Sequence, residues 1–421
     1  VSIERAFRSV DYIKISIFGA ALSVLWPSLH TIIIPLRLLE FAPEAQKNTY
    51  LGLLTFAGSM IAVFIQPLAG ALSDRFGSPL GRRRPFILVG TLLALLFLPS
   101  IGFSGSFPFL LLGYCLLQVA TNIAQGPFQA FIPDLVPKGR RGVAAGAKSL
   151  AEVLGGVAFL RLVAYFMDNY AGDGGEIWLW LAIGLPGLIL LGGMIVTMLT
   201  VKEQPSSPSG QPSMTKTLAG AYKIDVKGHT SFVWFLLSRL FILMAMVVLQ
   251  TFALYFIRDV IQHSNPAGVA ADLMITVGVF LLLAVYPAGQ LSDRFGRKPI
   301  IVLSGFIGIV GVLVLLFTRS YLGTLVCGGL LGISSGAFLS TNWALATDLV
   351  PVGEEARYLG LTNIATAGAG ALARLTGPVI DFCNARQSGL GYSVMLLICV
   401  FYFILGSVLV IPVRGKVRES G

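Results

Sequence analysis

The sequence predicts an all-α membrane protein: twelve transmembrane helices in two parallel six-helix repeats. Composition, the length of the apolar runs and an internal duplication carry that prediction. Of 421 residues, 55% are hydrophobic and 12% charged, about half the roughly 25% charge of a soluble domain. Mean hydropathy is +0.82. A soluble chain of this size needs a charged coat, and the charges to make one are absent. The same composition excludes a disordered chain, a coiled coil and a small disulfide-stapled secreted domain. The apolar runs are continuous over about twenty residues, which suits helices crossing a hydrocarbon core of about 30 Å. An outer-membrane barrel would instead alternate apolar and polar residues in segments of about ten.

Twelve runs are marked, near 12–39, 49–72, 85–103, 107–131, 142–166, 176–201, 230–257, 269–291, 299–317, 322–347, 358–382 and 390–413. Pro27, Pro35, Pro67, Pro127, Pro287 and Pro378 lie within them or near their ends, where proline kinks a helix and frees carbonyls. Glycines such as Gly155, Gly156 and Gly377 let helices pack closely. The net charge is +10, but the basic residues sit between the runs, which argues for membrane topology rather than nucleic-acid binding. Of the 30 Lys and Arg, 20 fall on the side that an even span count gives to both termini, 5 on the other side and 5 inside spans. The positive-inside rule therefore puts both termini in the cytoplasm. The four cysteines have no CxxC spacing and imply neither a disulfide nor a metal site.

The longest polar stretch, 202–229, contains a Pro/Ser-rich run and reads as a flexible cytoplasmic linker. It divides the chain into bundles 1–201 and 230–421. The halves resemble each other. Gly70-Ala-Leu-Ser-Asp74-Arg75-Phe-Gly77 recurs as Gly289-Gln-Leu-Ser-Asp293-Arg294-Phe-Gly296, at an offset of 219. Asp134-Leu-Val-Pro137 recurs as Asp348-Leu-Val-Pro351, at 214. Arg161-Leu162 and Asp168 match Arg374-Leu375 and Asp381, at 213. Three matches in order at nearly one offset mark a tandem duplication. Both halves start from the same side, the arrangement of transporters that rock two bundles around a central site.

The duplicated Gly-x-Leu-Ser-Asp-Arg-x-Gly loop resembles the signature of the major facilitator superfamily, and the resemblance covers nearly the whole chain. Within it, the insertion before Gly81-Arg-Arg-Arg-Pro-Phe and the run Asn122-Ile-Ala-Gln125-Gly-Pro-Phe-Gln129 resemble the glycoside/sucrose transporter branch. The resemblance implies the major facilitator fold, alternating access, and a cavity lined by spans 1, 4, 7 and 10. Trp26, His30, Asn122, Gln125, Gln250, Asn342 and Trp343 lie on those spans. With Gln129 and Asn363 they form the candidate substrate site, aromatic faces stacking on sugar rings and amides bonding hydroxyls. The alternative is that these polar groups bridge helices. His30 is also a candidate proton relay.

Charges inside spans are costly, about 2.5–3.5 kcal/mol each on an insertion scale, so each calls for a role. Lys148 and Glu152 stand one turn apart on span 5 and serve as a proton-coupling pair or as a structural ion pair. Arg161 and Arg374 occupy equivalent outer positions. They bind an anionic or polyhydroxyl solute or pair with Asp168 and Asp381. Arg239, nearer the cytoplasmic side of span 7, is expected to snorkel or to pair with the linker. At the cytoplasmic loops, Asp74 and Asp293 are expected at helix N-termini, where an anion is favoured. Arg75, Arg82, Arg83 or Arg84 is expected to pair with Asp134, and Arg294, Arg297 or Lys298 with Asp348. Such pairs form a gate, or are ordinary interfacial salt bridges.

No Walker loop, metal-ligand cluster or nucleophile motif is present in the sequence, so no enzyme, metal or cofactor is predicted. The predicted function is secondary transport of a small organic solute, a sugar or glycoside, with protons as the coupling partner. The expected setting is the lipid bilayer of a plasma membrane, or of the inner membrane in a bacterium, with the chain acting as a monomer and no nucleic-acid partner. The rival readings are an exporter of amphipathic, drug-like compounds and a non-transporting membrane assembly factor of the same fold.

Overall fold

The computed structural model describes residues 8–171, 175–203, 230–350 and 355–413. The expected linker falls almost wholly outside these residues. Among them the secondary structure is helical throughout. Eleven helices are long and apolar enough to cross a membrane. They are Ser9–Leu38 (span 1), Glu44–Arg75 (2), Arg84–Phe103 (3), Phe107–Leu135 (4), Arg141–Tyr170 (5), Glu176–Thr200 (6), Thr230–Ile261 (7), Pro266–Phe295 (8), Arg297–Phe317 (9), Tyr321–Leu349 (10) and Leu390–Leu409 (12). The remaining predicted span, 11, is a broken helix, Glu355–Arg374 followed by Thr376–Asn384. Large apolar side chains stand bare on the outside, Phe317 at 82% and Leu199 at 73% exposure. Water would not tolerate so much exposed apolar surface, and lipid does.

The helices form two compact units, 1–42 with 60–212 and 43–59 with 213–421. The opening turns of span 2 are thus grouped with the second unit. Each unit uses the same pairings. In the first, span 1 packs on spans 5 and 6, and span 3 on spans 4 and 6. In the second, span 7 packs on spans 11 and 12, and span 9 on spans 10 and 12. The duplication read from short motifs is therefore a duplication of packing.

Irregularities occur in both units. Span 1 passes through Pro27 into a π-helical stretch, Ser28–Ile33, and span 7 ends in another, Ile257–Ile261. Proline brings no N–H to its turn, so the ladder widens. Ser28 Oγ donates to the Val24 carbonyl at 2.7 Å there. Span 5 breaks at Phe159 as span 11 breaks at Leu375.

Candidate functional site: a polar cavity in the first unit

Span 1 contributes Gly19, Leu22, Ser23 and Trp26 to a cavity of about 150 Å³. Span 4 adds Gln125, Phe128 and Gln129, and span 5 adds Lys148 and Glu152. Their spacing explains why they meet. Residues 22 and 26, 125 and 129, and 148 and 152 are each one helical turn apart, so each pair shares a face. Gly19 matters for space, because a Cβ there would lie 2.8 Å from Glu152 Oε1. Lys148 Nζ is 3.6 Å from Glu152 Oε1 and 4.8 Å from the centre of the Phe128 ring. The cation is thus shared between a carboxylate and an aromatic face.

Beside the cavity, the His30 ring stacks on Trp26 with centroids 4.9 Å apart, and its Nε2 lies 2.9 Å from Tyr114 Oη. Tyr114 Oη accepts from Gln118 Nε2 at 2.7 Å. Asn122 Nδ2 donates to Gln118 Oε1 at 3.2 Å and to the Gln118 carbonyl at 2.8 Å. Tyr114 Oη thus joins Gln118 to the imidazole, and Asn122, Gln118, Tyr114 and His30 form one connected hydrogen-bonded set. Sequence reasoning missed Tyr114 and Gln118. Their one-turn spacing with Asn122 on span 4 was the signal that could have found them.

The second unit holds a different cavity, about 160 Å³. Its walls include Met246, Met274, Met395, Phe256, Leu331 and Cys327, with Gln250 as the one amide. At the repeat offsets Gln125 and Gln129 correspond in sequence to Leu339 and Trp343, and Lys148 and Glu152 to Leu361 and Ala365; none of these four lines the second cavity, so the two cavities are not repeat equivalents.

The candidate residues therefore separate. Trp26, Gln125, Gln129, Lys148 and Glu152 share one cavity, and Gln250 lines the other. Asn122 lines neither: it is 2% exposed and bonded within its own helix. Asn342 is fully buried, its Oδ1 accepting from Arg239. Arg239 does not snorkel, being 6% exposed and bonded across to spans 10 and 11; the linker lies outside the described residues. Trp343 and Asn363 are exposed side chains outside both cavities. Arg161 is exposed just past the span-5 break. Arg374 Nη1 donates to Ser59 Oγ and to the Gly370 carbonyl. Asp381 is not its partner, because that carboxylate accepts from Asn48 Nδ2 at 2.8 Å and Thr49 N at 2.6 Å. The break at Leu375 spoils the continuous face that a pairing seven residues apart requires.

The loop signature forms the same clasp in each unit. Arg83 Nε donates to Asp134 at 2.9 Å, its Nη1 to Ser73 Oγ at 2.5 Å, and its Nη2 pairs with Asp74. Arg82 also reaches Asp134, at 2.7 Å. Arg297 repeats the pattern with Asp348 at 3.3 Å, Ser292 Oγ at 2.7 Å and Asp293 at 2.5 Å. Arg84 turns away to the Met198 and Leu80 carbonyls, and Arg294 lies by the Phe295 ring. Arg75 sits in the last turn of span 2. The anion at the N-terminus of span 3 is Glu203, whose carboxylate accepts from the backbone N–H of Arg83 at 2.9 Å and Arg84 at 3.2 Å. Gly81, at φ +96°, makes room for it, since a Cβ there would collide with that carboxylate. Burial pushes the Glu203 carboxyl above its ordinary range, against the opposing pull of the two N–H donors and Arg83.

A family model described as MFS/sugar transport protein matches residues 46–413. A sucrose transport protein, SUT2 of Oryza sativa subsp. indica, is 32% identical over 164 residues, an aligned stretch that spans 32% of this chain and 32% of that protein. A multi-drug resistance efflux pump, PmrA of Streptococcus pneumoniae, is 23% identical across 97% of this chain and 98% of its own length. Among solved structures, the nucleoside transporter NupG superposes with a TM-score of 0.73 at 14% identity, covering 94% of this chain and 98% of that one. A D-xylose-proton symporter superposes at 0.71 with 18% identity, covering 97% and 100%. At these identities the structures speak for the fold alone. With a model covering most of its length, two units of repeated packing and a duplicated loop clasp, the chain belongs to the MFS/sugar transport family, has the multi-pass helical fold of the major facilitator superfamily, and resembles the sucrose transporter branch.

Proposed function

We propose that this transporter carries a sugar or glycoside by alternating access, coupled to a proton. The observation that carries the reading is the polar cavity of the first unit, where Trp26 offers a flat apolar face beside the amides of Gln125 and Gln129. A sugar has both kinds of surface, ring faces for stacking and hydroxyls for amides. The aligned sucrose transport proteins support the same solute class.

Glu152 is the proton carrier in this reading. Ionised, it pairs with Lys148; protonated, it releases that cation to the solute's hydroxyls or to the Phe128 face. The two states of one carboxyl then present two different cavities, which links proton occupancy to solute occupancy. The excess of Lys and Arg on one side supports cytoplasmic termini in a plasma membrane.

One observation favours a second reading. The apolar, methionine-lined cavity of the second unit suits an amphipathic compound, and the efflux pump aligns over nearly the whole chain. The test is direct. Purified protein in liposomes loaded with a pH-sensitive dye is given glucosides, disaccharides and lipophilic cations in turn. Inward proton movement on adding a sugar or glycoside supports the proposal. Proton movement driven only by lipophilic cations overturns it in favour of the exporter.

A further inference from the structure

Among the described residues four cationic side chains are deeply buried: Arg37, Lys47, Arg83 and Arg239. Three are neutralised by carboxylates. Arg37 pairs with Glu40, Lys47 with Glu44 and Asp259, and Arg83 with Asp74 and Asp134. Arg239 differs. Among the described residues no carboxylate lies within 4.0 Å of it, and its bonds go to neutral oxygens, Nε to Thr366 Oγ1 at 3.1 Å and Nη1 to Asn342 Oδ1. It stands nine residues into span 7, about 14 Å along the helix. A buried charge without a counter-charge is the arrangement that proteins avoid unless function keeps it.

A second observation points to what is missing. Asn342 is fully buried, and its Nδ2 has no hydrogen-bond partner. The amide cannot be turned to cure this, because Oδ1 is needed to accept from Arg239. The cluster therefore presents only spare donors: the remaining guanidinium N–H groups and one amide N–H. Thr366 and Asn363, on the adjoining face of span 11, are exposed, so the cluster is one side chain from open space.

We propose that Arg239 and Asn342 form an anion-binding point in the second unit, which takes a carboxylate or phosphate oxygen from a bound solute or a free inorganic anion. An oxyanion accepts from the guanidinium and from Asn342 Nδ2 together, supplying both the missing charge and the missing acceptor. Thr366, already bonded to Nε, holds the guanidinium plane in place. This inference goes beyond the sugar reading and does not rest on it, since it stands whether the neutral part of the solute is a sugar or something else.

The test uses the full chain in detergent or nanodiscs and follows thermal unfolding. Probes at constant ionic strength are sodium gluconate, inorganic phosphate, sodium chloride and uncharged glucose. Gluconate or phosphate should raise the unfolding temperature with a half-saturation that Arg239→Gln weakens at least tenfold. Arg239→Gln itself should unfold at the same temperature as wild type or higher, since it removes an uncompensated charge; a merely structural arginine would instead leave the variant less stable. Asn342→Asp supplies an internal carboxylate and should abolish the anion effect while raising basal stability. Stabilisation by phosphate but not gluconate assigns a free inorganic anion, and stabilisation by gluconate alone assigns an acidic group on the solute. The proposal is overturned if no oxyanion stabilises wild type beyond chloride, or if Arg239→Gln and Asn342→Asp respond as wild type does.

Discussion

The cavities of the two units are built on one duplicated scaffold and have opposite character. The first is walled by Trp26, two glutamines, a lysine and a glutamate, and the second by methionines, leucines and one glutamine. The loop clasps did not diverge in this way: Arg83 and Arg297 make the same three kinds of contact. Duplication thus preserved what each bundle needs at its loop clasp and released what lines its interior. A clasp must satisfy charges at a helix–loop junction in either unit, so its chemistry is constrained twice. A cavity answers to whatever occupies it, and nothing obliges both to hold the same group.

That contrast can be broken in several ways. The largest effect is expected at the charge pair found only in the first cavity. Glu152→Gln should let solute reach equal concentration on the two sides but no further, while exchange across the membrane persists, because the amide mimics the protonated acid. Gradient-driven accumulation that survives Glu152→Gln leaves the carboxylate as a structural partner of Lys148.

Next comes the clasp, where chemistry is equal but burial is not. The Arg83 side chain is 5% exposed and Arg297 24%, with Asp134 at 18% against Asp348 at 50%. Arg83→Ala should therefore destabilise by about 2–3 kcal/mol, since it strands partly buried carboxylates. Arg297→Ala should cost about 1 kcal/mol or less, because water screens what it leaves behind. Thermal unfolding of the two variants in the same detergent checks the order, and equal losses would mean that burial does not set the difference.

A smaller effect is expected at Glu203, which caps span 3 in the first unit. Its carboxyl is raised in the folded protein, so the folded state holds the proton more tightly than the unfolded chain does. Wild type should gain stability as pH falls through that raised value towards the ordinary glutamate value near 4.3, and no further gain should follow below it. Glu203→Gln has no such proton, so the difference in unfolding temperature, wild type minus variant, should grow on acidification. A difference that shrinks with acid would mean that the N–H donors outweigh burial.

Much of this architecture was legible in the sequence. Apolar run length gave the spans, because lipid admits little else than helices, and the repeated Ser-Asp-Arg-Phe-Gly gave the duplication. Lys148 and Glu152 were readable because charge in a span is expensive and one-turn spacing puts both on a face. Glu203 was not, since nothing local tells that a residue beyond span 6 returns to cap span 3. Asn122 and Asn342 were harder still. A buried amide looks the same in sequence whether it faces a ligand or, as here, bonds Gln118 or Arg239. Only packing decides which.

The most direct test of the account sets the two cavities against each other on one ligand. Thermal stabilisation of the purified chain by a transported sugar is measured for wild type, for Gln125→Leu in the first cavity and for Gln250→Leu in the second. The account predicts that Gln125→Leu weakens half-saturation about 10–100-fold, the worth of about 1–3 kcal/mol for a lost hydrogen bond in a buried site, while Gln250→Leu stays within about twofold of wild type. Loss of stabilisation in Gln250→Leu with Gln125→Leu unaffected would contradict it, and would move the solute site to the second unit.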